Sequence, residues 1–314
     1  MKWFITGGCG FIGTRLVKSL AGNTDNEITI FDNFSVGESK DLGELEDNPA
    51  ITVIEGDVRD AGAALSASEG SDIMVHLAAV SGVRISIEDP REVFDINCLG
   101  TFNVLEAARN NNIRRTVVAS TGCAIGSAEP PMREDMVARP DSPYGASKLM
   151  GEAYCKCYSD SFGLNATALR FSNVYGPGAY KKISFVHKYI KEAILGGSLY
   201  LFGDGTQTRD FLYVDDMVKA IEKVALRDDL AGETCNICTG VETSVNDVIE
   251  ALNQALADHG IEKPEIILKP RIEGELFRNF SSPEKLLKAI GWKASTGLKD
   301  GLPQTVSYFK DVLS

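Results

Sequence analysis

The first half of the chain alternates short runs of β-branched and aromatic residues with longer stretches whose apolar positions recur every three or four residues. The runs predict strands over Lys2–Thr6, Glu27–Phe31, Ile51–Glu55, Ile73–Leu77, Thr116–Ser120 and Asn165–Arg170. The stretches predict helices over Phe11–Ala21, Arg91–Asn110 and Pro143–Phe162. On the second helix Val93, Ile96, Leu99, Val104, Leu105 and Ala108 mark one apolar stripe. Parallel neighbours need a crossover, and the crossover helix packs on a sheet face, so the alternation predicts a doubly wound parallel α/β sheet. After about Asn173 the pattern loosens and Gly and Pro become frequent. Helices over Val186–Leu195 and Val245–His259 are expected there, and Arg209–Val214 reads as a strand returning to the first unit. The predicted organisation is a nucleotide-binding domain over 1–172 with a returning segment near 209–238, and a smaller α+β domain over 173–314.

Composition narrows the partners. The chain has 314 residues, 44% of them hydrophobic, enough for a full core. A formal net charge of −12 repels nucleic acid and anionic membrane alike, so any bound phosphate must be small and held locally. No signal segment or apolar membrane span is read from the sequence, and a cytoplasmic location is expected. Seven scattered cysteines and three histidines lack the second ligand pair of a zinc site, so no metal is expected and the thiols read as reduced.

The segment Thr6-Gly7-Gly8-Cys9-Gly10-Phe11-Ile12-Gly13 sits where the first strand becomes the first helix. Glycines at 7, 10 and 13 allow a tight turn, close approach of backbone to a pyrophosphate, and close helix–strand packing. Asp32 ends the second strand 19 residues after Gly13, where a carboxylate accepts hydrogen bonds from ribose hydroxyls and repels a 2′-phosphate. No arginine follows over Asn33–Gly37, which favours NAD over NADP. Asp57 follows the third strand, in reach of an adenine amino group. Leu77-Ala78-Ala79 closes the fourth with small side chains, and His76 before them reads as a packed histidine.

Tyr144 and Lys148 stand at i and i+4 on one helical face, downstream of Ser120-Thr121 at the end of the fifth strand. A phenol is a poor base near neutrality, but a neighbouring ammonium and a positive nicotinamide both favour its ionised form.

With these residues in order, the chain resembles the extended short-chain dehydrogenase/reductases of the NAD-dependent epimerase/dehydratase group. The resemblance runs almost end to end, through Gly7–Gly13, Val75–Ala79, Asn97–Arg109, Tyr144–Lys148, Leu169–Pro177, Phe202–Asp216 and Ala289–Trp292. It implies a Rossmann-type sheet with a smaller C-terminal substrate domain. It also implies NAD contacts at Gly7, Gly10, Phe11, Ile12, Gly13, Asp32, Asn33, Asp57, Val58, Leu77, Ala78, Ala79, Asn97, Ser120, Tyr144 and Lys148. Tyr144 becomes the acid/base, Lys148 lowers its pKa and holds the nicotinamide ribose, and Thr121 bonds the sugar hydroxyl being oxidised. A nucleotide-sugar substrate then falls on Arg84, Thr121, Tyr144, Asn173, Phe202, Arg209 and Arg271. Arg271 and Arg278 flank Gly274-Glu275, and the spacing leaves both as candidates for the diphosphate, with Arg271 favoured. An alternative for Arg209 is a surface ion pair with Asp210.

Subtypes of the group differ beside the threonine. Dehydratases follow it with an Asp-Glu pair, because eliminating water needs an extra acid and base. Decarboxylases place a Glu nearby. Here Gly122-Cys123 follows. Glucuronate epimerases hold the sugar carboxylate with an arginine after Tyr-Gly-Pro, where this chain has Gly178-Ala179-Tyr180, although Val83-Arg84 and Ser86 resemble that subtype. The resemblance therefore implies NAD-dependent inversion at C4 of a UDP-hexose, with uronate epimerisation or another nucleotide-sugar oxidoreductase or dehydratase activity of the group as the alternative. Asn279 falls near a position that limits pocket size, and so bears on an N-acetyl group. It also implies a homodimer through Arg91–Asn110 and Pro143–Phe162, with Cys98, Cys155 and Cys157 small enough for a packed interface.

Overall fold

The computed structural model describes residues 1–178, 181, 184–271 and 276–313. Ala179, Tyr180, Gly274 and Glu275, which the sequence pattern singles out, lie outside them. Seven strands form one parallel sheet: β1 (Lys2–Thr6), β2 (Glu27–Asp32), β3 (Ile51–Glu55), β4 (Ile73–His76), β5 (Arg115–Thr121), β6 (Ala166–Phe171) and β11 (Thr234–Ile237). Their spatial order is β3-β2-β1-β4-β5-β6-β11, so the winding reverses between β1 and β4. Side chains alternate across the sheet, as strand geometry requires. Trp3, Ile5, Ile30 and Val75 pack on one face, against α1 (Phe11–Ala21) and α8 (Val214–Ala225). Phe4, Phe31, Met74 and Val118 pack on the other, against α2 (Ala61–Ala67), α5 (Gly100–Asn110) and α6 (Pro143–Phe162). This is the two-sided parallel sheet that the alternation predicts.

The predicted helix over Arg91–Asn110 is one path in three pieces, α4 (Pro90–Val93), a π-helical turn (Phe94–Leu99) and α5; α3 (Val83–Glu88) precedes it. The wider turn shifts the helical phase, so Leu99 leaves the predicted stripe and is exposed, while Asn97 and Cys98 turn inward. Beyond β6 lie β7 (Asn173–Tyr175), α7 (Phe185–Leu195), β8 (Ser198–Phe202), β9 (Thr208–Arg209) and β10 (Phe211–Tyr213). After β11 come β12 (Thr243–Ser244), α9 (Val245–Asp258), β13 (Glu265–Lys269), β14 (Arg278–Asn279), α10 (Glu284–Ile290) and α11 (Leu298–Leu313).

The strand expected over Arg209–Val214 is two strands, and neither joins the large sheet. β9 pairs β12 and β14, and β10 pairs β7. Asp210 between them is buried, its carboxylate accepting from the Thr239 and Gly240 amides, which breaks the run. The chain returns to the sheet as β11 instead, beside β6. A third apolar cluster unites α7, α9 and α11 around Tyr189, Leu252 and Phe309. No helix among the described residues is long and apolar enough to cross a membrane.

Candidate active site

The glycine turn is shaped by backbone collisions that any side chain would create. A Cβ on Gly13 would stand 2.3 Å from the Gly7 carbonyl oxygen, and one on Gly7 would stand 2.6 Å from the Ala78 nitrogen. Gly7 also adopts φ +71°. Gly10 differs. A Cβ there would meet only the Gly7 carbonyl oxygen, at 3.2 Å, so internal packing gives it no comparable reason to be glycine. Gly10 is the N-cap of α1 with no side-chain cap, and the Ile12 and Gly13 amides have no acceptor among the described residues. Bare amides at a helix start with room beside them form an anion cradle, which fits the pyrophosphate of a dinucleotide.

Asp32, buried at the end of β2, accepts from the amides of Cys9 (2.9 Å) and Phe34 (3.0 Å). Burial raises its pKa while those amides work the other way. Asn33 donates to Asp57, and Arg59 pairs with Asp57 at 2.6 Å, holding that carboxyl down to about 2. Leu77, Ala78 and Ala79 line the end of β4, half-buried. Phe11 at the first turn of α1 meets the His187 ring at 5.5 Å. Val58 turns into the core under Gly100, and its carbonyl accepts from Asn103. Asn97 spends its amide group on Val80 and on the Ser147 hydroxyl. Ser120 gives its hydroxyl to Glu152. These last three are therefore engaged within the protein.

Tyr144 and Thr121 meet because two elements approach closely. Ser142 caps α6 through the Gly145 amide, and Pro143 opens its first turn. Gly145 lets that turn lie against the loop after β5, since a Cβ there would stand 2.4 Å from the Cys123 carbonyl oxygen. The Thr121 hydroxyl accepts from the Cys123 amide and lies near enough to the phenol to favour its ionised form. Burial pushes the phenol well above its ordinary value, the Cys123 thiol adds to that, and the Thr121 contact works the other way. Lys148 is buried, its Nζ donating to the Ala119 carbonyl at 3.1 Å, and burial lowers it to about 8. Protein groups alone therefore keep the phenol protonated, so the ionisation expected of Tyr144 needs a further positive charge at this rim.

Across the sheet edge stand the basic and aromatic groups. Arg209 does not pair with Asp210; its Nη1 donates to the carbonyls of Thr208 (2.7 Å) and Phe277 (3.3 Å). The Arg271 guanidinium lies 5.0 Å from the Phe277 ring centre. Arg278 is tied to Glu242 and Glu129 at 2.7 and 2.9 Å. Phe202 is exposed at the end of β8. Asn173 opens β7 and donates from both nitrogens to the Asp210 carbonyl. The Arg84 side chain is 90% exposed and paired with Glu88 along α3. Asn279 lies at the other end, 3.7 Å from where a Gly122 Cβ would stand. Sequence reasoning missed the Glu152–Arg170 pair, whose signal was opposite charges at otherwise apolar positions, and the nearness of Cys123 to Tyr144, for which spacing gave no signal.

The sequence model of the NAD dependent epimerase/dehydratase family matches residues 3–238. A putative UDP-glucose 4-epimerase of Methanocaldococcus jannaschii is 36% identical over 313 residues, 98% of each chain. Among solved structures, the UDP-glucuronic acid 4-epimerase of Bacillus cereus, in complex with UDP-glucuronic acid and NAD, superposes with a TM-score of 0.92. It is 28% identical and covers 99% of this chain and 100% of its own. The UDP-glucose 4-epimerase of Thermotoga maritima, with UDP-glucose, gives a TM-score of 0.90 at 29% identity, covering 100% of both chains. Cradle, paired hydroxyls, buried lysine and these matches lead to one assignment: the chain belongs to the NAD-dependent epimerase/dehydratase family.

Proposed function

We propose that this protein inverts C4 of a UDP-hexose, UDP-glucose/UDP-galactose or the N-acetyl forms, through a transient 4-keto sugar. The observation carrying this reading is Thr121 beside the Tyr144 phenol, with buried Lys148 one helical turn on and Gly122 and Cys123 following the threonine. That set can move a hydroxyl proton, and no carboxylate extends from the turn to eliminate water.

Gly7, Gly10, Gly13 and Asp32 would hold NAD, and when bound it supplies a hydride acceptor for C4 that later returns the hydride. The chain's own groups do the rest. Thr121 orients the 4-hydroxyl, Tyr144 takes its proton and gives it back, and Lys148 contributes positive charge to the buried rim. Arg209, Arg271 and Asn173 would hold the diphosphate, and Phe202 would lie against the base. Inversion requires the oxidised sugar to present its other face, so binding energy concentrated on the UDP end leaves the hexose free to turn. A second reading, UDP-glucuronate 4-epimerisation, is favoured by the likeness to the B. cereus enzyme and weakened by the placement of Arg84.

We further infer a cytoplasmic homodimer. Ile87, Phe94, Phe102 and Phe162 stay exposed along α3, the π turn, α5 and α6. Contiguous exposed apolar groups of this kind mark an association surface. Cys98 and Cys155 are buried inside the protomer, which leaves Cys157 as the exposed member of the three expected there.

The test is C4 inversion of UDP-glucose, UDP-GlcNAc and UDP-glucuronate by the purified protein and by Tyr144→Phe. Inversion of one of the first two is expected, with Tyr144→Phe losing about 10³-fold in kcat. Undiminished turnover by Tyr144→Phe would sink the mechanism.

A further inference from the structure

Below Tyr144 and Lys148, α6 carries Glu152, one turn beyond the lysine on the same face. Its carboxylate is 5% exposed and accepts from two strands at once. Oε1 takes the Ser120 hydroxyl of β5 at 2.5 Å and Arg170 Nε of β6 at 2.8 Å; Oε2 takes Arg170 Nη2 at 2.6 Å. Beside it, Lys148 Nζ reaches the Ala119 carbonyl. Two consecutive residues of β5 thus grip two successive turns of α6, and the next residue of the strand is Thr121.

Stability alone does not account for this device. Removing two charges from water costs several kcal/mol per ion, and a well-packed apolar pair often stabilises as much or more. Arg170 Nη1, buried without a hydrogen-bond partner, adds to the cost. An apolar pair cannot supply direction, whereas a bidentate guanidinium–carboxylate pair fixes both rotation and axial register.

We propose that Glu152, Arg170 and Ser120 are positioning residues that lock α6 in register with β5, so that the Tyr144 phenol meets the Thr121 hydroxyl. The proposal rests on the reading of Thr121, Tyr144 and Lys148 as the reacting set. The UDP contacts lie on other elements, so a slip of α6 changes rate and leaves binding alone.

The double variant Glu152→Leu/Arg170→Met tests this. It removes both charges and the unpartnered Nη1, so its melting temperature is expected to stay level or rise, whereas Glu152→Leu alone strands a buried guanidinium. In the double variant kcat should fall about 30- to 100-fold with KM within about 2-fold, the signature of misplacement near 1 Å. Ser120→Ala should show a smaller loss of the same kind. Wild-type kcat in the double variant overturns the proposal. A second readout needs no substrate: the ¹³C NMR titration of the Lys148 ε-methylene, assigned with Lys148→Met. Its midpoint, held below the ordinary lysine range by burial in the wild type, should rise as Nζ loses its grip on β5 and gains water. An unmoved midpoint also overturns the proposal. Absence of C4 inversion in the wild type would sink the functional reading alone, since the titration still judges the register.

Discussion

At the scale of single residues, two positions separate packing from function. A Cβ on Gly10 would meet one backbone oxygen at 3.2 Å, where those on Gly7 and Gly13 would meet backbone at 2.6 and 2.3 Å, so Gly10→Ala should fold with a melting temperature within a few degrees of the wild type and retain far less NAD through gel filtration. Equal NAD retention would rule out the cradle. His76 is the opposite case, a polar residue used for packing. The Thr6 hydroxyl accepts from the Ala78 amide and meets His76 Nδ1, and Thr101, its proton spent on the Asn97 carbonyl, is left to accept from Nε2. Nε2 then carries the hydrogen. The ring is held neutral, its pKa lowered to about 3 by burial and then by Lys148. Unfolded imidazole binds a proton near 6.5, so between about 6.5 and 3 the unfolded chain holds more protons and stability falls as pH falls. Denaturant titrations at pH 7 and pH 4 should show an acid loss larger in the wild type than in His76→Gln, by about 3 kcal/mol. Equal losses in the two proteins would contradict this assignment of the ring.

At the scale of elements, α6 depends on two glycines in opposite ways. A Cβ on Gly145 collides with the Cys123 carbonyl, so Gly145→Ala should push the first turn off the loop, costing about 1–3 kcal/mol and at least about 10-fold in kcat. A Cβ on Gly151 would make ordinary contact with Thr101 and Val118 at 3.5 and 3.7 Å. Gly151→Ala should therefore raise stability by up to about 1 kcal/mol through helix propensity, without loss of activity. Wild-type activity in Gly145→Ala, or collapse of Gly151→Ala, would contradict this packing. Elements governed by their own periodicity, such as Phe11–Ala21 and Pro143–Phe162, are legible in the sequence to the residue. Leu99 is misread because a π turn changes the period, and Arg209–Val214 because Asp210 is drawn inward by amides 29 and 30 residues away. The Tyr144–Lys148 spacing is a local signal and could be read. The grip of Glu152 on Ser120 and Arg170 spans 32 and 18 residues, and the ties of Arg278 to Glu129 and Glu242 span 149 and 36; both needed the fold.

At the scale of the whole molecule, the sheet reverses its winding between β1 and β4, and open α/β sheets bind ligands at such a switch point. The glycine turn after β1 and the small residues after β4 meet there, and the helices carrying the exposed Phe94, Phe102 and Phe162 cover the β4–β6 side. If the proposed dimer forms, sedimentation should give a dimer for the wild type and a monomer for Phe94→Asp/Phe102→Asp; a dimer in both would place association elsewhere. In the proposed mechanism one enzyme-held hydride leaves C4 and comes back. This is tested most directly by incubating the purified protein with UDP-glucose and UDP-GlcNAc in D₂O, with no NAD(H) added, and reading the products by NMR. C4-inverted product over many turnovers, with no deuterium at carbon, is the predicted result. Turnover that stops without added NADH, or deuterium incorporated at C4 or C5, would contradict it.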